Sequence, residues 1–460
     1  MENFWDYSVW GFFNILAALL ISLLAAHMLK RSIPLLQASL IPASVLGGGM
    51  LIVLAGIYKV ITGDIMFDTN FFGGHGTATL EMITYHCLAL GFIGATFKSS
   101  EGKLTKKRSM EIFNTGMTTV CTYLLQAIIG FGITIIASLL MDDFFAAAGV
   151  LLPFGYGQGT GQALNYGGIF ENEYGFVGGK VFGLTIAALG FLSASIGGVI
   201  HLNVLKRRGV IKNTSSEEGA IMSEQVQGDN EVPMQESMDK LTIQMALITV
   251  AYMIAYVLMS VLGSLLPGMR SVIFGFNFLL GVLAATMTKG VINLLRKKGV
   301  IHRQYINDFL MTRISNCAYD IMVVAGIAAI RLSALEDYWG IILILGVAGL
   351  ISTYIYNRIV AKTLYPEYTE EQFLAMYGML TGTASTGVIL LREIDAEFKT
   401  PAADNMVYQN FPAIVFGFPM MILATMAPDQ PYITYAIFTT YFIVLNVVLF
   451  RSVIFKKKKK

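Results

Sequence analysis

Eleven apolar runs, most of them long enough to cross a bilayer, succeed one another along this chain, at about 11–29, 43–62, 82–97, 111–141, 176–205, 241–266, 271–295, 309–331, 339–362, 404–425 and 431–455. Lipid offers no partner to a free N–H or C=O, so runs of this kind must fold as helices that satisfy their own backbone. The third run is short and extends toward Thr77 through Leu80, Met82 and Ile83. With 55% hydrophobic and 13% charged residues over 460 positions, the chain has too little polar surface for a soluble globule. The expected fold class is an all-α polytopic membrane protein. Trp10 to Met28 lacks the basic flank and Ala-x-Ala site of a signal peptide, so it is read as the first span. Cys87, Cys121 and Cys317 all fall in spans and form neither a disulfide framework nor a metal-ligand spacing. The net charge of +2 comes with basic residues clustered beside spans, where they set topology, and argues against a nucleic-acid partner.

The flanks alternate. Lys30-Arg31, Lys98 to Arg108 and Lys206-Arg207-Arg208 follow the odd spans of the first half, while Asp64, Asp68 and Asp142-Asp143 follow the even ones. The positive-inside rule then puts the amino terminus outside and the linker in the cytoplasm. In the second half Arg296-Lys297-Lys298, Arg358, Lys362 and Lys456 to Lys460 come out cytoplasmic, with Glu336-Asp337 outside. Five spans before the linker give the two halves opposite orientation, the parity of an inverted repeat. The expected domains are an N-terminal repeat over 1–205, a cytoplasmic linker over 206–240 and an inverted repeat over 241–460 that ends in an extra C-terminal span. From Asn213 to Asp239 the linker is rich in Ser, Glu, Gln, Asn and Asp, a composition expected of a mobile tether.

Two glycine-threonine segments interrupt the apolar sequence at corresponding places: Pro153-Phe-Gly-Tyr-Gly-Gln-Gly-Thr-Gly-Gln-Ala163 and Tyr377-Gly-Met-Leu-Thr-Gly-Thr-Ala-Ser-Thr-Gly387. Dense glycine weakens a helix, and irregular backbone survives at membrane depth only where protein buries it or a cavity receives it. Paired broken segments in two halves are the best sequence pointer to a secondary transporter's binding site. Re-entrant loops are therefore expected at about 150–166 and 371–392. Gly159-Thr160 is followed twelve residues later by Glu171, and Gly382-Thr383 eleven later by Glu393, a faint trace of the repeat.

These residues also carry a resemblance. Ile41-Pro42-x-x-Val45-x-Gly47-Gly48, Gly157-x-Gly159-Thr160-Gly161-x-Ala163, Tyr174-Gly175-Phe176 and Gly382-Thr383-Ala384-Ser385-Thr386 resemble elements of the bacterial glutamate:sodium symporter family. The resemblance covers most of the chain, and the first loop is its most specific part. It implies sodium-coupled uptake of an acidic amino acid through two inverted repeats, each with a re-entrant loop, in a homodimer of the bacterial inner membrane. Three departures stand out. Gln158 replaces the family's common histidine, with Tyr156 just before it; Asp320 stands where a small polar residue is expected; and the last span is extra.

The candidate substrate-binding residues are Gln158, Gly159, Thr160, Gly161, Gly382, Thr383, Ser385 and Thr386, because hydroxyls beside exposed backbone amides suit a carboxylate. Thr160, Thr383, Asp320 and Gln126 are the candidate sodium ligands, since sodium wants several hard oxygens. Against this stands close helix packing through small residues, which an isolated Gly-Thr would signify. Gln162 and Asn165 either orient a substrate group or seal the hairpin's own backbone. A carboxylate at mid-span such as Asp320 costs about 2.5–3.5 kcal/mol, so it is either an ion or ammonium ligand or the partner of Arg313 two turns away. Arg392, beside Glu393, meets a substrate carboxylate or anchors topology at the cytoplasmic rim. His75 and His86 lack partners at metal spacing.

No Ser-His-Asp arrangement, Walker motif or metal triad marks an enzyme. The expectation is a symporter of glutamate or a related acidic amino acid or carboxylate, working by alternating access with sodium as coupling ion and no other cofactor. A sodium-coupled carrier of another amino acid or organic anion is the alternative. A channel would want one continuous pore, and a receptor an attached signalling domain that the polar linker cannot provide.

Overall fold

The computed structural model describes residues 3–97, 105–141, 143–209, 231–234, 238–267, 270–331, 338–395 and 399–454. Among the flanking charges, those at 98–104, 142, 336–337 and 456–460 lie outside the described residues, as do linker positions 210–230 and 235–237 and the side chain of Ser385.

The described chain is helical. Its first half runs through α1 (Tyr7–Ser32), the short α2 (Pro34–Ala38), α3 (Ala43–Thr62), α4 (Gly76–Phe97), α5 (Lys106–Leu140), α6 (Leu151–Tyr156), α7 (Gly159–Tyr174) and α8 (Gly179–Arg207). The second half runs through α9 (Lys240–Leu265), the short α10 (Arg270–Gly275), α11 (Asn277–Lys297), α12 (Asp308–Ala328), α13 (Trp339–Leu364), α14 (Thr369–Thr381) and α15 (Ala384–Arg392). It closes with α16 (Ala402–Tyr408), α17 (Asn410–Met426), α18 (Pro431–Leu449) and α19 (Arg451–Ile454). Among the described residues nine helices are long and apolar enough to cross a membrane, and α16 with α17, bent by 50°, make a tenth. The 21-residue α12 is not among them, because Arg313, Asn316 and Asp320 break its apolar character. This is a multi-pass membrane protein by its helices.

Local chemistry sets the boundaries. Pro34 cannot extend α1 without losing a hydrogen bond and instead starts α2. Asp239 and Asn307 cap α9 and α12, their side chains accepting from the Leu241 and Leu310 amides. Packing then follows reciprocal lines: α1 lies on α3 as α9 lies on α11, α4 meets α11 as α12 meets α3, and α4 pairs with α12 and α5 with α13. The last long helix, α18, covers α5 and α17, with the Tyr356 hydroxyl donating to Asn446 Oδ1 at 2.8 Å.

The charged helix ends gather at one end of the bundle. Lys107 pairs with Glu367 at 2.8 Å, and Arg358 with Glu370 at 2.7 Å, beside His201 Nε2 at 2.8 Å from the same carboxylate. Burial works against the charge of Glu370, but Arg358 and His201 more than offset it and hold its carboxyl below the ordinary value. The linker's last residues dock at this end. Lys240, fully buried, donates to Glu231 at 2.7 Å, Asn307 Nδ2 donates to the same oxygen at 2.8 Å, and the Val232 amide donates to the Gln304 carbonyl at 3.1 Å. The tether expected over 213–239 therefore has a structured end, held because a buried lysine without its carboxylate would be costly.

Candidate functional site

Both glycine-threonine segments are helix breaks in the middle of the molecule. A 3-10 turn (Ala146–Val150) leads into α6, and the helix is interrupted at Gly157-Gln158 before α7 begins. Gly159 opens α7 with φ +78°, a conformation that costs an L residue about 1–2 kcal/mol. The second break lies at Gly382-Thr383, between α14 and α15. Side chains from α5 hold both. The Tyr123 hydroxyl donates to the Gly157 carbonyl at 3.1 Å, and Gln126 Nε2 donates to the Leu380 carbonyl at 2.9 Å and to Thr353 Oγ1 at 2.8 Å.

The two breaks meet. A Cβ on Gly159 would lie 3.5 Å from Thr383 Cγ2 and 3.7 Å from the Gly382 carbonyl oxygen. Since α7 starts at Gly159 and α15 at Ala384, two helix N-termini converge on this contact. Each brings unpaired amide donors and the positive end of its dipole, an environment that favours an anion. Thr160 is fully buried and donates to the Met322 carbonyl at 3.4 Å. Thr383 is half-buried, with its hydroxyl 3.4 Å from that of Thr386. Gly161 packs on Leu88.

Several amides around the contact have buried atoms without a hydrogen-bond partner among the described residues: Gln158 Nε2, both polar atoms of Gln162, and Gln126 Oε1. Leaving such a group unpaired costs about 1–3 kcal/mol. Gln158 offers a donor to a carboxylate. Gln126 and Gln162 offer carbonyl oxygens, hard donors of the kind a cation takes.

Not every candidate from the sequence joins this cluster. Met322 and Gly326 of α12 face Thr160, whereas Asp320 shares its helix face with Val324 and Ile327, which pack on Gly48 of α3. The Asp320 carboxylate is served by the Ser44 hydroxyl. No ion pair joins it to Arg313 among the described residues, and the Arg313 guanidinium lies 5.0 Å from the centre of the Phe309 ring. Asn165 donates to the Gly275 carbonyl at 3.0 Å, and His86 Nδ1 lies 2.7 Å from the Tyr252 hydroxyl. Arg392 and Glu393 are exposed at the far end of α15.

The structure adds residues that the sequence did not single out. Thr115, Thr119 and Thr122 form one buried stripe on α5 with Gln126, which the sequence had named. Thr115 bonds the Tyr365 hydroxyl at 2.8 Å, Thr119 donates to Gln409 Oε1 at 2.8 Å, and Thr122 accepts from Asn357 at 3.4 Å. Their spacing of three and four in an apolar span is the signal that could have found them. Tyr156, noted only as a departure, bridges Ser193 Oγ at 2.8 Å and the Gly346 carbonyl at 2.5 Å. Comparison with protein-family models, with curated proteins and with solved structures returned no match for this chain.

Proposed function

We propose that this protein is a secondary active transporter that carries glutamate or a related acidic amino acid or carboxylate together with sodium. The observation behind the proposal is the contact of two helix breaks, far apart in sequence, that brings two helix N-termini and unpaired buried amides to one point. The order of elements in the two halves, long helices around a short one and then a broken hairpin, supports two inverted repeats of about five spans with re-entrant loops. The reciprocal packing of α1 on α3 and α9 on α11 supports the same reading. Gathering of the basic helix ends at one face agrees with the positive-inside orientation, so the first hairpin enters from outside and the second from the cytoplasm. The resemblance to the glutamate:sodium symporters supplies the substrate class and the homodimer, in a bacterial inner membrane.

In this reading the α7 and α15 N-termini and Gln158 bind the substrate carboxylate. Thr160, Thr383 and Thr386 complete the shell, and Gln126 and Gln162 supply oxygens to sodium. An anion entering against an inside-negative potential loses about 2.3 kcal/mol per charge per 100 mV, so cotransported sodium must exceed the substrate's negative charge for the potential to help. In proteoliposomes an inward sodium gradient should drive glutamate uptake, and Thr160→Val with Thr383→Val should abolish it while the protein stays monodisperse. Uptake indifferent to sodium would refute the coupling.

A further inference from the structure

A solute bound where the breaks meet needs a route from outside, and one side of α7 carries the groups for it. Gln162, Asn165 and Asn172 recur at spacings that keep them on a single face of α7, and Gln158 lies at its N-cap. Their surroundings change in order along that face. Asn165 and Asn172 line a cavity of about 510 Å³ that also touches Glu81, Tyr85, Lys180 and Gly275. Lys180 reaches over Gly168 of α7 and pairs with Glu81 at 2.9 Å within this cavity.

One wall of the cavity is held by three hydrogen bonds at the α10–α11 break. Asn165 Nδ2 donates to the Gly275 carbonyl at 3.0 Å, the Tyr85 hydroxyl to the Phe274 carbonyl at 2.7 Å, and Asn277 Nδ2 to the Tyr85 carbonyl at 2.9 Å. One turn deeper, Gln162 is 1% exposed and neither of its amide atoms has a partner. The same stripe thus meets a cavity above the seam and unsatisfied polar atoms below it. Packing alone does not account for Gln162, because an apolar side chain of similar size would fill that space without an unpaired amide.

We propose that the amide face of α7 lines the outer half of the translocation pathway, with the Asn165–Gly275 and Tyr85–Phe274 bonds as its external gate. This rests on the transport function proposed above and adds to it the route and the residues that close it. The lining beyond the mouth is uncharged, and each amide offers both a donor and an acceptor. It therefore suits a small solute bearing carboxylate and ammonium groups, passed along without a fixed countercharge that would trap it. The Lys180–Glu81 pair at the mouth offers one charge to each of those groups.

Outside-facing accessibility tests the route without requiring that the solute be known. With Cys87, Cys121 and Cys317 replaced by serine, sealed right-side-out vesicles are treated with a membrane-impermeant methanethiosulfonate. Asn172→Cys, exposed at the cavity, should label readily. Gln162→Cys should label slowly, and adding Asn165→Ala or the milder Tyr85→Phe should speed its labelling about fivefold, the population change that one net hydrogen bond gives. Failure of Asn172→Cys to label, or a Gln162→Cys rate that neither gate variant changes, overturns the pathway. Such a failure leaves sodium-driven uptake untouched, and absence of glutamate uptake leaves the labelling result readable.

Discussion

At Gly326 a methyl group would stand 2.7 Å from the Thr160 Cβ and 3.0 Å from its hydroxyl, so the break at Gly159 sits directly against a helix that has no side chain there. Thr160 is fully buried and cannot swing away. Gly326→Ala should therefore destabilise the protein by about 1–3 kcal/mol through overpacking, seen as a lower unfolding temperature in detergent. Thr160→Gly in the same background should recover part of the loss, because the three nearest atoms to the added methyl, the Thr160 Cβ first, all belong to that side chain. A Gly326→Ala protein as stable as the parent would mean that the contact between α12 and the first hairpin gives way freely. Asp320, two residues from Met322, shows the converse: its place in sequence suggested the site, but the turn of the helix directs it to Ser44 and α3.

The second broken segment is seated at its start through Glu370, in the first turn of α14, which Arg358 grips with both guanidinium nitrogens at 2.7 Å. Because the folded pKa of Glu370 lies below its ordinary value, its contribution is complete above the ordinary carboxylate range and is lost as pH falls through the lower folded value. Glu370→Gln should cost about 1–3 kcal/mol near neutral pH, the scale of charge-assisted hydrogen bonds. The difference in unfolding temperature between the two proteins should then close on acidification. A gap that stays constant down to strongly acidic pH would show that the charge of Glu370 does not hold the segment. The α5 stripe of Thr115, Thr119, Thr122 and Gln126 supports the same segment further in, ending on the Leu380 carbonyl beside the break.

For the whole molecule, orientation follows from the basic helix ends. Reporter fusions at Ser216 should read cytoplasmic and one at Thr69 external; an external result at Ser216 would remove the inverted arrangement. Much of this architecture was legible in the chain itself, because lipid enforces helices wherever apolar residues run on. The run at about 43–62 is helix Ala43–Thr62, and both glycine-threonine segments are breaks where glycine weakened the helix. The third run, extended in the sequence toward Thr77, is α4 from Gly76, where a Cβ would stand 2.0 Å from the Phe67 carbonyl oxygen, a steric fact that hydropathy does not carry. What apolar periodicity determined, then, was where helices lie and where they break. Tertiary structure alone decided that the two breaks touch, that Asn165 seals against Gly275 while Gln162 is left unpaired, and that Lys240 draws the end of the linker into the bundle. The reason is that these outcomes depend on distances between segments remote in sequence, and a single chain records composition and spacing but not which remote faces close upon each other.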